Sequence, residues 1–140
     1  MIEKIINFFL KIFNLKMVKI VNQFDNSYRL VLAMNEKKIN CILDVGANEG
    51  QFVEQIRSYG YKGDIISFEP LLNVHEKLIK KSKNDDKWKI FKPVAIGNKN
   101  GNNKINISKN SVSSSILNIS ETHIKSAPDS IFISEQSVDE

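Results

Sequence analysis

The feature that most constrains this chain is the run Cys41-Ile42-Leu43-Asp44-Val45-Gly46-Ala47-Asn48-Glu49-Gly50-Gln51-Phe52. An apolar run carrying one acid is followed by two glycines four residues apart. Phe52, Val53, Ile56 and Tyr59 then fall at helical spacing, so the segment reads as strand, ligand-binding turn and helix. Glycine tolerates positive φ and lets a ligand approach the backbone closely, because it presents no Cβ. The first N–H groups of the helix lack intrahelical partners and face whatever occupies the turn.

The rest of the chain is read against that unit. The helix after the turn is expected to stop at Gly60, a natural left-handed terminator. Asp64 to Phe68 reads as a second strand, closed by Glu69 and Pro70. Leu71, Leu72, His75, Leu78 and Ile79 mark a further helix whose far end carries Lys80, Lys81 and Lys83, which suits the negative end of the helix dipole. Trp88 to Ile96 reads as a third strand closing at Gly97. Upstream, Tyr28, Leu30, Val31 and Met34 predict a helix between Asp25 and Asn40. This order predicts an α/β fold, a Rossmann-like parallel sheet with right-handed crossovers and helices on both faces. Beyond Gly97 the composition turns polar. Asn100-Gly101 predicts a β-hairpin or an extended excursion, and Ser130 to Ser134 a last strand before a charged end at Glu135 to Glu140.

Composition narrows the function. The formal charge of +4 is carried mainly by lysines spread along the chain, with Arg29 and Arg57 the arginines, so no nucleic-acid partner is expected. A hydrophobic content of 41% in 140 residues is enough for a core. Residues 1–22 place Ile2, Ile5, Phe9, Ile12, Phe13 and Leu15 among Lys4, Lys11, Lys16 and Lys19, the pattern of an amphipathic helix. Its lysines interrupt every apolar run well short of the roughly 18 to 20 residues that a membrane span needs, and no small-residue cleavage site closes it. Two readings stay open for it: packing on the domain or a partner, and lying on an anionic membrane surface. The single cysteine, Cys41, cannot form an internal disulfide and reads as a small core residue, which points to a reducing, cytoplasmic setting. No histidine and cysteine spacing suggests a metal site. Residues 1–38 are expected to form a helical extension, and 39–140 a partial cofactor-binding domain.

The cofactor follows from the turn and its neighbour. Glu69 ends the adjacent strand, 19 residues after Gly50. A carboxylate placed there can accept both hydrogen bonds of a ribose diol. A dinucleotide fingerprint requires Gly-x-Gly-x-x-Gly, whereas Asn48 and Gln51 occupy the second and third glycine positions, which disfavours a nicotinamide-dependent oxidoreductase. Asp44 beside the turn repels a phosphate and suits a ligand with an ammonium and a sulfonium. S-adenosylmethionine has both, and a ribose.

The runs ILDVGANEGQF, IISFEP and VAIGNKNG, followed by NSVSSSIL, resemble the FkbM family of S-adenosylmethionine-dependent methyltransferases across roughly residues 40 to 140. The resemblance implies a Rossmann-like class I methyltransferase sheet and O-methylation of a sugar or other small or glycan hydroxyl acceptor. It implies that Asp44, Gly46, Ala47, Asn48 and Gly50 line the methionine part of the cofactor and that Glu69 holds the ribose. Pro70 and Leu71, with Val94 and Ala95, would flank the adenine, and Ser113-Ser114-Ser115 would lie toward the acceptor. The family continues with a strand ending in Asp-x-x-Gly-x-Glu where this sequence reaches Glu140, so the sheet is expected to be incomplete at the C-terminus, with strand Ile42 to Val45 at an edge. A non-catalytic remnant or a membrane-associated interaction module is the alternative. No general base is named: His75 reads as structural, and His123 as a solvated loop histidine or a proton acceptor. Trp88 and Phe91 read as core aromatics.

Overall fold

The computed structural model describes Ile6, residues 25–110 and residues 112–140; the amphipathic helix expected over residues 1–22 lies outside the described residues apart from Ile6. The elements are α1 (Asn26–Glu36), β1 (Cys41–Val45), α2 (Gln51–Ser58), β2 (Asp64–Phe68), α3 (Leu72–Ser82), β3 (Trp88–Ile90), β4 (Asn102–Ser108), α4 (Glu121–Ser126), a 3-10 turn (Pro128–Ser130) and β5 (Phe132–Asp139). The fold is mixed α/β. Three parallel strands run in the order β1-β2-β3, and β4 pairs antiparallel with β5 in a second sheet.

Local chemistry sets the first helices. Asp25 caps α1 by accepting from the N–H groups of Ser27 and Tyr28, at 2.8 and 3.4 Å. Its other oxygen accepts from the Tyr59 hydroxyl at 2.6 Å, which ties α1 to the end of α2. Gly60, with φ +93°, terminates α2 as expected. Val31 and Met34 of α1, Val53 and Ile56 of α2 and Leu78 of α3 share one core with Ile65 and Trp88. The three helices therefore cover the same face of the parallel sheet. Two successive right-handed crossovers advancing in one direction produce this arrangement. Helices on both faces, expected from sequence, are not found among the described residues.

Among the described residues, nothing covers the opposite face or pairs with the β1 edge. Side chains alternate along a strand, so Cys41, Leu43 and Val45 point together away from the helices; Leu43 is 64% and Val45 58% exposed. Cys41 is consequently exposed, not a core residue. The edge position expected for β1 is observed.

The third strand is shorter than expected. Phe91 N–H still donates to Ser67 O at 2.9 Å, but Pro93 has no N–H to extend a ladder. The chain leaves the sheet there, and Ala95 N–H donates instead to Asp139 O at 2.8 Å. Asn100-Gly101 is not a hairpin turn: Gly101 exchanges both backbone hydrogen bonds with Glu140, so β4 pairs with a distant strand. The charged end expected after Ser134 is itself part of β5. Leu71, Val74, Ala95, Ile105 and Val138 form a second core that fastens this small sheet to the start of α3.

Arg57 locks the far side of α2. Its Nε donates to Asp85 Oδ2 at 2.7 Å, and Nη1 to the carbonyls of Tyr61 and Gly63 at 2.8 Å each. The paired side chains are only 20% and 28% exposed. Lysine offers no planar fork to serve these acceptors together. Arg57→Lys is expected to destabilise the protein by about 1–2 kcal/mol, seen as a lower urea midpoint at unchanged slope.

No helix among the described residues is long and apolar enough to cross a membrane.

Candidate functional site

The carboxyl ends of β1 and β2 carry the site. In parallel pairing Asp44 lies opposite Ser67, and Val45 opposite Phe68. The turn after β1 alternates in hand: Gly46, Asn48 and Gly50 have φ of +75°, +49° and +84°. Asparagine is among the few residues with a Cβ that visit this region readily. A Cβ on Gly46 would meet nothing within 4 Å, so its backbone angle alone calls for glycine. At Gly50 space matters too, because a Cβ would stand 2.5 and 2.7 Å from the Trp88 ring and 2.9 Å from Leu78 Cδ1.

Every N–H in this turn is already engaged. Gly46 and Ala47 both donate to Phe68 O at 3.0 Å, and Gly50 donates to Ala47 O at 2.9 Å. Asn48 N–H donates to Glu69 Oε2 at 2.8 Å, and Glu49 N–H to the Asn48 side-chain carbonyl at 2.7 Å. A loop that cradles phosphate presents these groups to its ligand; this one spends them on protein acceptors. Between Gly46 and Gly50 the backbone leaves no free N–H for an anion.

Two acids face the cavity instead. Glu69, 5% exposed, also accepts from Leu71 N–H through Oε1 at 2.9 Å, so each of its oxygens holds one backbone donor. Burial pushes its carboxyl up; the donors at Leu71 and Asn48 and the nearby His75 pull it down, and the Asp44 charge pushes it up. Asp44 is also raised by burial, against the lowering effect of the Ser67 hydroxyl, which donates to its Oδ2 at 2.9 Å. Behind Ser67, Trp88 Nε1–H donates to Ser67 Oγ at 2.9 Å.

The cavity between these groups has a volume of about 390 Å³, within the range of small-molecule sites. Of the residues singled out from sequence, Asp44, Gly46, Ala47, Asn48, Glu69, Pro70 and Leu71 line it. Gly50 sits behind the turn, against Trp88. Val94 and Ala95 are buried but do not line the cavity, and Ala95 packs in the second core. The early end of β3 explains this, since the chain turns toward β5 before reaching the site.

Gln51 and Phe52 on α2, Ile105 on β4, and Val112 and Ser114 after β4 complete the lining without having been anticipated. Ser67 and Trp88 were also missed as supports of Asp44. Ser67 leaves one sequence signal, a hydroxyl in the otherwise apolar run Ile65-Ile66-Ser67-Phe68, where a buried polar group needs a partner.

The histidines lie elsewhere. His75 is buried, with Nε2 2.6 Å from Phe91 O. His123 lies on α4, not in a loop, with Nε2 3.2 Å from Ser130 Oγ. It borders a second cavity of about 530 Å³ that shares Val112 and Ser114 with the first and includes Ser113 and Ser115. Trp88 is core, whereas Phe91 is exposed and stacks obliquely on Phe68, with ring centroids 5.2 Å apart.

Comparison with protein-family models, with curated proteins and with solved structures gives no match to this chain.

Proposed function

We propose that this chain carries the cofactor site of an S-adenosylmethionine-dependent methyltransferase acting on a hydroxyl acceptor, a sugar or similar small or glycan alcohol. One observation carries the reading: two buried carboxylates, Asp44 and Glu69, flank a cavity whose turn has no N–H left for a phosphate. Within Gly46–Gly50 that combination disfavours a phosphate and suits a ligand with a cation at one end and a diol at the other. Each Glu69 oxygen keeps a lone pair beyond its backbone donor, enough for the two hydroxyls of a ribose. Asp44 Oδ2 is held by Ser67, and Oδ1 has no hydrogen-bond partner among the described residues, which fits an incoming ammonium. Pro70 and Leu71 give an apolar wall beside the ribose end.

When bound, the cofactor supplies an electrophilic methyl group on sulfur. The residues of this chain contribute binding and alignment, the kind of positioning that can supply several kcal/mol of barrier lowering. The second cavity, lined by four serines together with the apolar Val112, Leu117, Ile119 and Phe132 and sharing Ser114 with the first, is the natural approach for a hydroxyl acceptor. A cytoplasmic location belongs to the same reading and rests on the sequence, in which cysteine is used once and no disulfide framework is built. Contact of residues 1–22 with an anionic membrane surface rests on their sequence pattern.

Calorimetry with S-adenosylhomocysteine tests the cofactor. Saturable binding at one site per chain is expected, with NAD showing none. Glu69→Gln keeps an acceptor for one backbone N–H and removes the charge, and is expected to weaken binding about tenfold, or roughly 1.4 kcal/mol. Equal affinity in the wild type and the variant sinks the ribose assignment, and binding of NAD alone sinks the methyl-donor reading.

A further inference from the structure

We infer that Ser67 and Trp88 are positioning residues for the cation end of the ligand, forming a buried relay in which the indole N–H orients the Ser67 hydroxyl and that hydroxyl orients Asp44. The inference deepens the methyl-donor reading and rests on it. Its basis is a chain of two 2.9 Å hydrogen bonds running from Trp88 Nε1 through Ser67 Oγ to Asp44 Oδ2.

Direction along the relay is fixed by chemistry. An indole N–H can only donate, so Ser67 Oγ accepts from Trp88, and its own proton is committed to the carboxylate. Ser67 is fully buried and has no solvent to turn toward. With Oδ2 held in this way, the Asp44 side chain cannot rotate freely, and Oδ1 is the oxygen left for a ligand. Asp44 sits on β1, Ser67 opposite it on β2, and Trp88 on β3 opposite Ile65, so the relay crosses all three strands of the parallel sheet. Trp88 also packs against the other end of the turn, since its ring stands 2.5 Å from where a Gly50 Cβ would be. One aromatic residue thus fixes both the acid before Gly46 and the glycine that opens α2. The expected ligand selectivity is for adenosyl compounds that keep the amino-acid ammonium.

Two ligands and a mutant cycle test this. S-adenosylhomocysteine carries the ammonium, and 5′-methylthioadenosine has the same nucleoside without the amino-acid end. In calorimetry Ser67→Ala is expected to weaken S-adenosylhomocysteine about fivefold, in the range of one hydrogen bond, and to leave methylthioadenosine within twofold. Trp88→Phe is expected to give the same selective loss. In an Asp44→Ala background, which removes the acceptor of the Ser67 hydroxyl, Ser67→Ala is expected to have no further effect, because the groups act as one unit. Far-UV circular dichroism on each variant checks that it is folded. Equal loss for both ligands, or the same loss with Asp44 already replaced, overturns the relay while leaving the cofactor reading intact. Absence of S-adenosylhomocysteine binding by the wild-type protein overturns both.

Discussion

Gly50→Ala is expected to destabilise the protein by about 2–5 kcal/mol, the largest single effect anticipated for a one-methyl change in this chain. Two costs combine. A left-handed conformation costs an L-residue roughly 1–2 kcal/mol, and Gly50 has φ +84°. The added methyl then meets the Trp88 ring at 2.5 and 2.7 Å and Leu78 at 2.9 Å. Both neighbours belong to the principal core and have little room to withdraw, so overpacking adds about 1–3 kcal/mol. Gly46→Ala is the internal control. Gly46 is also left-handed, with φ +75°, but a Cβ there meets nothing within 4 Å. Its expected cost is the backbone part alone, about 1–2 kcal/mol. Urea unfolding of both variants therefore separates backbone strain from contact with Trp88. If the two midpoints coincide, the indole is not the buttress of the turn.

The contrast also shows what the sequence revealed about this region. Both glycines were visible as turn residues, because a strand pattern stopped and a helix pattern began around them. That only Gly50 is also held by space depends on Trp88, 38 positions further along. A pairing of that range is a property of the sheet, and no local pattern reports it. β2 was read with its observed bounds, since Asp64 to Phe68 is a short apolar run closed by Glu69 and Pro70. β3 was overextended. The apolar residues Phe91, Val94 and Ile96 continue a strand-like pattern, but Pro93 has no N–H to extend the ladder and the strand ends at Ile90.

The pairing of β4 with β5 was missed for a related reason. Asn100-Gly101 is a strong local hairpin signal, yet the partner of Gly101 is Glu140, and 23 residues, 109–131, separate β4 from β5. Long-range apolar burial of Ile105 and Val138 outweighed the local turn preference. The site was more legible than the fold around it. Asp44, the turn and Glu69 come together because parallel strands end at one edge, a rule of topology that a sequence reading can apply. The lining from Ile105, Val112 and Ser114 depends on the long-range pairing of β4 with β5, which no local pattern reports.

Asp44→Asn is expected to weaken S-adenosylhomocysteine about 30- to 100-fold, roughly 2–3 kcal/mol for loss of a charge-assisted hydrogen bond, while making the ligand-free protein more stable at neutral pH. The opposite signs have one cause. Burial raises the Asp44 carboxyl from its ordinary value of 3.8, and the Glu69 carboxyl from 4.5. A carboxyl raised in the folded state keeps its proton there when the unfolded chain has already released its own. The unfolded state then binds fewer protons, so stability falls as pH rises through that window and the full cost persists above it. Stability of the ligand-free wild type is thus expected to be greatest near the ordinary carboxylate range and to decline as pH rises past the raised values of Asp44 and Glu69. Asparagine keeps an acceptor for the Ser67 hydroxyl and removes one of the two charges, so the variant should decline less steeply and melt at a higher temperature at pH 7. Ligand affinity runs the other way. The carboxylate that is costly in the empty cavity is the one that attracts an ammonium, so wild-type affinity should rise with pH across the window in which stability falls, and the Asp44→Asn affinity should lose most of that dependence. Thermal melts and calorimetry from about pH 4 to 8, a range set by the ordinary carboxylate values, read both trends on the same samples. A variant that is less stable than the wild type at pH 7, or that binds S-adenosylhomocysteine as tightly, would show that Asp44 is a structural acid and not the cation end of the site.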